Sequence, residues 1–201
     1  MDQTEMKKSK PQSRGRWKLL LVLAICASPL VFSYLTYYVI KPVSRNNYGT
    51  LLDPRQYPMP VLHGVLQGGA AQELTAYKGK WIMLQVSASD CQKKCQDALF
   101  AMRQLRLMQG KDMDRIERVL LVPDDQPMDT LLIRQLEDTH ILRVDGKAVE
   151  AWLPTESDTT VQDRMYLIDP LGNLMMRYPV DADPNKVKKD IVKLLKASSI
   201  G

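Results

Sequence analysis

The sequence predicts an α/β domain carried on one N-terminal membrane helix. Two observations support this prediction: an uncharged apolar run over residues 19–40, and an alternation of short apolar strands with helical patterns from Trp81 onward. The chain has 201 residues, of which 45% are hydrophobic. That length accommodates one globular domain with an appendage and is too short for two full domains.

The run at residues 19–40 is long enough to cross the hydrocarbon core of a bilayer as a helix. The residues before it are basic, so the positive-inside rule places them in the cytoplasm and everything after the run in the bacterial periplasm. The run is longer than the apolar part of a cleavable signal and ends in Tyr37-Tyr38-Val39-Ile40, which offers no cleavage site. We therefore expect a single-pass anchor in the bacterial inner membrane.

Four segments follow from this division. Residues 1–18 form a cytoplasmic basic tail, 19–40 the transmembrane anchor, 41–60 a linker rich in proline and asparagine, and 61–201 the α/β domain. The tail carries most of the net charge of +5, so the rest of the chain is close to neutral. The basic balance is therefore a signal of membrane topology and gives no indication of a nucleic-acid partner.

The first half of the domain reads as a hairpin, a strand, a helix and a second strand. Residues 61–66, followed by two glycines, predict a small N-terminal hairpin or strand. Residues 81–86 are continuously apolar except for Gln85 and predict a buried strand. Apolar residues at helical spacing follow from Leu99 to Met108, and residues 118–122 predict a second buried strand.

The second half predicts a helix, a weak strand, a hairpin and a last helix. Pro127 favours a helix over residues 128–137, and residues 141–144 form the weak strand. Residues 165–178 predict a hairpin around a proline-glycine turn, and residues 184–197 an amphipathic helix. This order of elements is that of a thioredoxin-like domain, a central mixed sheet flanked by helices.

Cys91 and Cys95 stand where the first buried strand passes into the helix, and they are the only evident chemistry in the chain. Asp90 is the expected N-cap, which places Cys91 in the first helical turn. Side chains four apart on a helix lie ~5–6 Å apart at Cβ, against ~3.8 Å in a relaxed disulfide. The spacing therefore predicts a reducible disulfide, or two thiolates facing one soft ion such as Cu(I).

We expect Cys91, nearer the loop, to be the more exposed and reactive sulfur, and Cys95 the resolving partner or second ligand. The helix N-terminus together with Lys93 and Lys94 favours the thiolate forms. A purely structural disulfide is the alternative, although closing so short a loop removes little chain entropy.

Other polar residues give weaker signals. His63 lies in the N-terminal hairpin and is a possible third metal ligand, because such a hairpin can lie near the first strand. His140 is expected at the sheet edge opposite the cysteines. Asp124 and Asp125 follow the second strand and are expected to cap the helix that begins near Pro127.

Three segments carry a resemblance to a known family: Cys91-x-x-x-Cys95, the stretch Val122-Pro123-Asp124-Asp125-Gln126-Pro127, and the stretch Tyr166-Leu167-Ile168-Asp169-Pro170-Leu171-Gly172. The domain resembles the SCO/SenC group of membrane-anchored thioredoxin-fold proteins, which assist the assembly of cytochrome c oxidase. The resemblance implies copper delivery to the oxidase copper site, or reduction of its thiols, through Cys91 and Cys95. It also implies partners, namely a cytochrome c oxidase subunit or other assembly factors.

The sequence departs from that group at three positions. The group has proline after each cysteine, where this chain has Gln92 and Gln96. It also has a histidine before the hairpin tyrosine, which completes the copper site, and Val161 stands there in this chain. We therefore expect a divergent member without the group's third copper ligand. A metal-free thiol–disulfide oxidoreductase and a non-catalytic scaffold module are the alternative functions.

Overall fold

A computed structural model describes residues 13–40, 47–179 and 181–200. The chain divides into two compact units, residues 1–46 and residues 47–201. Most of the predicted basic tail, including Lys7, Lys8 and Lys10, and the first part of the predicted linker, residues 41–46, lie outside the described residues.

The first unit is built on one long helix, α1 (Ser13–Leu35), which continues into a turn of π-helix at Thr36–Ile40. The stretch Arg16–Tyr38 is long and apolar enough to cross a membrane, the one such helix among the described residues. Its apolar side chains are exposed along its length. Burial in lipid would satisfy an apolar surface of this size. The exposed, free Cys26 lies on this helix.

The second unit is organised around an eight-stranded mixed sheet in the order β1-β8-β7-β4-β5-β6-β2-β3. The strands are β1 (Thr50–Leu51), β2 (His63–Leu66), β3 (Ala71–Glu73), β4 (Trp81–Val86), β5 (Ile116–Val122), β6 (Thr139–Val144), β7 (Arg164–Ile168) and β8 (Leu174–Pro179). The central strands β4, β5 and β6 are parallel, and the other neighbours pair antiparallel.

Helices cover both faces of the sheet. They are α2 (Lys93–Leu107), α3 (Thr130–Gln135), α4 (Gly146–Trp152) and α5 (Pro184–Ala197). Successive side chains of a strand point to opposite faces, so the central strands contribute side chains to two apolar layers, one on each face of the sheet. One layer joins the sheet to α2, α3 and α5, and the other joins it to α4. Every side chain of β4 is buried, which explains the continuous apolar run that predicts this strand.

Three elements differ from the sequence prediction. Helix α3 begins only at Thr130, because the Asp129 side chain accepts a hydrogen bond from the Leu131 N–H and caps it. Helix α4 was not predicted, since seven residues are too few to show a clear helical period. Although the sequence predicts a linker over residues 41–60, residues from 47 onward belong to the second unit, where β1 pairs with β8.

Candidate functional site

Cys91 and Cys95 form a disulfide, with their Cα atoms 5.2 Å apart. Helix α2 begins at Lys93 and Gln92 is its N-cap, so Cys91 lies in the preceding loop with a φ of 22°. The expectation that Asp90 caps the helix and places Cys91 in its first turn is therefore wrong. Because Cys91 leaves the helical path, its sulfur can approach that of Cys95 more closely than two helical side chains could.

The Cys91 backbone is held in this left-handed conformation by local hydrogen bonds. The Cys91 N–H donates to the Ala88 carbonyl at 3.1 Å, and the Gln96 side-chain amide donates to the Cys91 carbonyl at 3.0 Å. A left-handed conformation is unfavourable for a residue with a β-carbon, so it needs such contacts to persist. Gln96, one of the residues at which the sequence departs from the SCO/SenC pattern, thus has a role in shaping the loop.

The two sulfurs differ in accessibility, in the opposite sense to the prediction. Cys91 is 0% exposed and belongs to the apolar layer under α2, together with Leu99 and Met102. Cys95 is only partly buried and lines an open cleft. The expectation that Cys91 is the more exposed sulfur is wrong, because the loop turns back and directs its side chain into the core. An incoming thiol can reach Cys95, whereas Cys91 is shielded.

The cleft beside Cys95 has a volume of about 350 Å³ and is lined mainly by polar residues: Gln85, Ser87, Ala88, Asp90, Gln92, Lys94, Cys95, Gln162 and Asp163. Gln85 is 1% exposed, and its amide nitrogen donates to the carbonyls of Gln162 at 2.9 Å and Val86 at 3.1 Å. Its Oε1 has no hydrogen-bond partner among the described residues. The sequence signal for this residue was its polarity within the apolar run of β4.

An ion pair joins α2 to the turn before β7 at this cleft. The Lys94 Nζ lies 2.5 Å from Asp163 Oδ1, and Asp163 also accepts hydrogen bonds from the backbone N–H and the hydroxyl of Thr160. The hydrogen bond from Lys94, followed by those from Thr160, holds the pKa of Asp163 well below its usual range. Lys94 and Asp163 line the same cleft as Cys95, so the reachable sulfur shares this cleft with an ion pair.

Asp124 ties the end of β5 to the cysteine loop. Its carboxylate accepts hydrogen bonds from the backbone N–H of Ser89 at 2.9 Å and of Gln126 at 3.0 Å. Burial raises its pKa, but the hydrogen bonds from Ser89 and Gln126 outweigh burial and lower the pKa overall. The expectation that Asp124 and Asp125 cap the next helix is wrong, since Asp129 does so.

The structure does not bring His63 to the cysteines. Its side chain is 80% exposed and lies 3.3 Å from Glu73. His63 lies on β2, which is three strands away from β4, the strand that leads to the cysteines. Because neighbouring strands are about 4.8 Å apart, His63 is displaced from β4 by about 14 Å across the sheet. His140 lies at the start of β6, on the edge opposite the cysteines as expected, and its Nε2 is 3.2 Å from Glu117.

The residues of the site do not fit a three-ligand copper centre. Val161 is a buried core residue of the short turn Val161–Asp163. Across residues 13–40, 47–179 and 181–200, no group of three or more His, Cys, Asp or Glu side chains is arranged to hold a metal ion. When reduced, Cys91 and Cys95 supply two thiolates, which suit a soft ion such as Cu(I).

Comparisons with known proteins agree with this architecture. A family model described as a transmembrane-like, thioredoxin-like C-terminal domain matches residues 81–198, and a model of a transmembrane-like N-terminal domain matches residues 10–39. A search of curated protein sequences finds no match to this chain.

Solved structures with the same fold include three informative neighbours. A SCO1/SenC family lipoprotein from Bacillus anthracis has a TM-score of 0.55 at 18% identity, covering 72% of this chain and 99% of its own. Yeast Sco1 with copper bound has a TM-score of 0.56 at 18% identity, covering 71% and 94%. The thioredoxin domain of a thiol-disulfide oxidoreductase from Bacteroides vulgatus has a TM-score of 0.53 at 15% identity, covering 72% and 99%. These likenesses confirm the thioredoxin-like fold and, as a likeness of fold, the resemblance to the SCO/SenC group.

Proposed function

Since the chain belongs to the family of transmembrane-like proteins with a thioredoxin-like C-terminal domain, we propose that it is a membrane-anchored thiol–disulfide oxidoreductase that serves cytochrome c oxidase assembly. Its substrate is the disulfide formed by the cysteines of the oxidase copper site, which it reduces to thiols, and its partners are an oxidase subunit or other assembly factors. The domain works in the bacterial periplasm, with the anchor in the inner membrane and the basic tail in the cytoplasm. The likeness to SCO/SenC proteins and to a thiol-disulfide oxidoreductase supports this proposal.

The observation that carries the proposal is the unequal placement of two bonded sulfurs, with Cys91 buried and Cys95 at a cleft. In the reduced domain, the Cys95 thiolate attacks a disulfide of the partner. A bond forms between Cys95 and one partner sulfur, and the second partner sulfur leaves as a thiolate that takes a proton from water.

The Cys91 thiolate then attacks the Cys95 sulfur of this mixed disulfide. The Cys91–Cys95 bond forms, the bond to the partner breaks, and the partner's first sulfur leaves as a thiolate. The partner has gained two electrons and is a dithiol, while the domain is oxidised to the observed disulfide. An external dithiol donor must reduce Cys91–Cys95 again before the next cycle.

Copper delivery is the second candidate, with copper as cargo. It is favoured by the closeness of the two sulfurs, which gives the reduced pair two thiolates for one Cu(I), and by the copper-bound yeast neighbour. The remaining ligand would come from the receiving protein. Titrating the reduced full chain with Cu(I) against a competing chelator tests this role. If the wild-type chain binds Cu(I) no more tightly than the Cys91→Ser/Cys95→Ser double variant, the copper-delivery role is wrong.

Complementation of a host strain lacking the gene tests the main proposal. We expect the Cys91→Ser/Cys95→Ser variant to lose oxidase assembly, measured as cytochrome c oxidase activity in membranes. The matched control is Cys26→Ser, which removes the third cysteine of the chain and should assemble the oxidase normally. Full complementation by the double variant would instead favour a scaffold module without thiol chemistry.

The reduction potential of the Cys91–Cys95 disulfide is a second test. A value below about −300 mV would mark this bond as structural and would count against a redox role.

A further inference from the structure

Strand β5 directs one charged side chain into the apolar layer beneath α2 and α3. Ile116, Leu120 and Val122 share a face of the strand with Arg118, and all three belong to this layer. Arg118 is itself 3% exposed. A cation is rarely buried this deeply unless a negative group faces it.

The described contacts do not neutralise this guanidinium. Its Nη2 donates to the Glu137 carbonyl at 2.8 Å, and its Nε is buried with no hydrogen-bond partner in the described part of the chain. No carboxylate of residues 13–40, 47–179 and 181–200 forms an ion pair with it. Burial and then Arg106 lower the pKa of Arg118, Asp138 raises it by less, and the smallest effects come from Arg103, which lowers it, and Glu117, which raises it.

A structural role explains only part of this arrangement. The bond to the Glu137 carbonyl ties β5 to the connection between α3 and β6, but it uses one of the five N–H donors of the guanidinium. A neutral amide donor would serve that bond equally well. The Glu137 carbonyl is neutral, so this hydrogen bond does not balance the buried positive charge of Arg118.

Arg118 reaches a groove of about 220 Å³ between α2 and α3. The groove is lined by Gln96, Leu99, Phe100, Arg103, Arg118, Leu132, Gln135 and Leu136. Its three leucines are buried, whereas Phe100 is 63% exposed beside it. The groove shares no lining residue with the cleft beside Cys95. It therefore combines apolar walls with two arginines, outside the cleft beside Cys95 but next to the cysteine loop, which Gln96 contacts.

We propose that this groove binds a small organic carboxylate, with its carboxylate paired to Arg118 and Arg103 and its apolar group against the leucines and Phe100. A guanidinium matches a carboxylate with two parallel hydrogen bonds, which is stronger than a bond to a neutral acceptor. A volume of about 220 Å³ is smaller than the usual pocket of a drug-sized ligand, and at about 30 Å³ per water-sized group it suits an acid of roughly seven to eight heavy atoms.

Calorimetric titration of the full chain in detergent with 4-methylpentanoate tests the proposal. We expect saturable binding of this acid, and binding at least about tenfold weaker for 4-methylpentanamide, which keeps the apolar group and lacks the charge. Acetate keeps the charge and lacks the apolar group, and it should also bind more weakly. No binding of the acid, or equal binding of the acid and the amide, would overturn the proposal.

Two substitutions separate binding from folding. Arg118→Met keeps an unbranched side chain in the core. We expect its affinity for the acid to fall by about tenfold or more, and we expect the acid no longer to raise its unfolding temperature. Arg103→Gln alters a residue nearer the surface and should weaken binding several-fold with an unchanged unfolding midpoint. If both variants bind the acid like the wild type, the arginines do not form the site. Should Arg118→Met fail to fold, Arg103→Gln and the amide comparison still decide the question.

Discussion

The two edges of the central parallel strands both carry titratable side chains, but only one edge carries reactive groups that are left open. At the carboxyl ends of β4 and β5 lie the disulfide, Asp124 and the cleft. At the amino ends, Glu117 binds Lys80 at 2.6 Å and His140 at 3.2 Å. The ring of His140 also lies 4.5 Å from that of Tyr77.

The two edges differ in whether their polar groups are paired with each other or line an open cleft. Burial raises the pKa of Glu117, but hydrogen bonds from Lys80 and His140 outweigh it, so the carboxylate is satisfied as an anion. At the other edge, Asp124 shapes a loop, while Cys95 and Gln85 line the cleft. The ionisable cluster at the amino ends of the strands is thus structural. The reactive disulfide lies at the carboxyl ends, where the strands pass into loops.

The largest expected effect concerns the two sulfurs. In a Cys26→Ser background, Cys91→Ser leaves the Cys95 thiol at the cleft, and Cys95→Ser leaves the Cys91 thiol in the core. We expect the Cys95 thiol to react about 100-fold faster with an aromatic disulfide reagent, because Cys91 must wait for local opening of the fold. Stopped-flow absorbance measures both rates. Equal rates, or a faster Cys91, would show that the reachable sulfur is assigned wrongly.

A smaller effect is expected at the anchor of the cysteine loop. Asp124→Asn removes the charged acceptor of two backbone N–H groups and should lower the free energy of unfolding by about 1–3 kcal/mol. Asp125→Asn is the matched control, since it removes the same charge from the exposed neighbouring carboxylate. Denaturant unfolding of the two variants measures the difference. Similar losses in both would mean that the hydrogen bonds of Asp124 contribute little.

The same carboxylate gives a pH dependence with a definite sign. The pKa of Asp124 is lower in the folded protein than its usual value of 3.8. Its stabilisation is therefore complete above that value and is lost as the pH falls through the lower folded pKa. Unfolding curves from pH 6 to about pH 2 should show wild type and Asp124→Asn converging at the acid end.

The next effect concerns the cation beside Cys95. In the Cys91→Ser background, Lys94→Gln should slow the reaction of Cys95 about two- to fivefold, because a nearby cation favours the thiolate. Lys93→Gln removes an equal charge from the exposed pair with Asp97 and should change the rate less. Added salt should reduce the difference, since it screens exposed charges. A larger effect of Lys93→Gln would indicate that only overall charge matters.

The smallest effect is expected at the opposite edge. His140→Gln should leave the reaction rate of Cys95 unchanged and alter the free energy of unfolding by less than about 1 kcal/mol, as for partly exposed ion pairs. Thiol kinetics and denaturant unfolding test both statements. A clear loss of thiol reactivity would mean that the two edges are coupled through the sheet.

The sequence predicted the elements whose signals are local. The buried strands β4 and β5, the β7–β8 hairpin and helix α5 were predicted near their observed positions, because apolar runs and helical periods are visible over a few residues. The sequence predicts a start for helix α3 that is two residues too early, since Pro127 favours the first helical turn and Asp124 and Asp125 precede it as possible caps. The exposure of Cys91 was predicted wrongly, because exposure depends on the path of the loop through the fold.

By itself, the sequence determined the apolar anchor, the cysteine spacing and the valine at position 161, all of which are local facts of composition and order. The tertiary structure alone decided that Cys91 is buried and Cys95 reachable, that His63 lies across the sheet from them, and that Arg118 faces a groove. These outcomes depend on strand order and on packing between residues distant in sequence. Local patterns specify which face of an element is apolar, whereas its neighbours in the fold decide what each side chain meets.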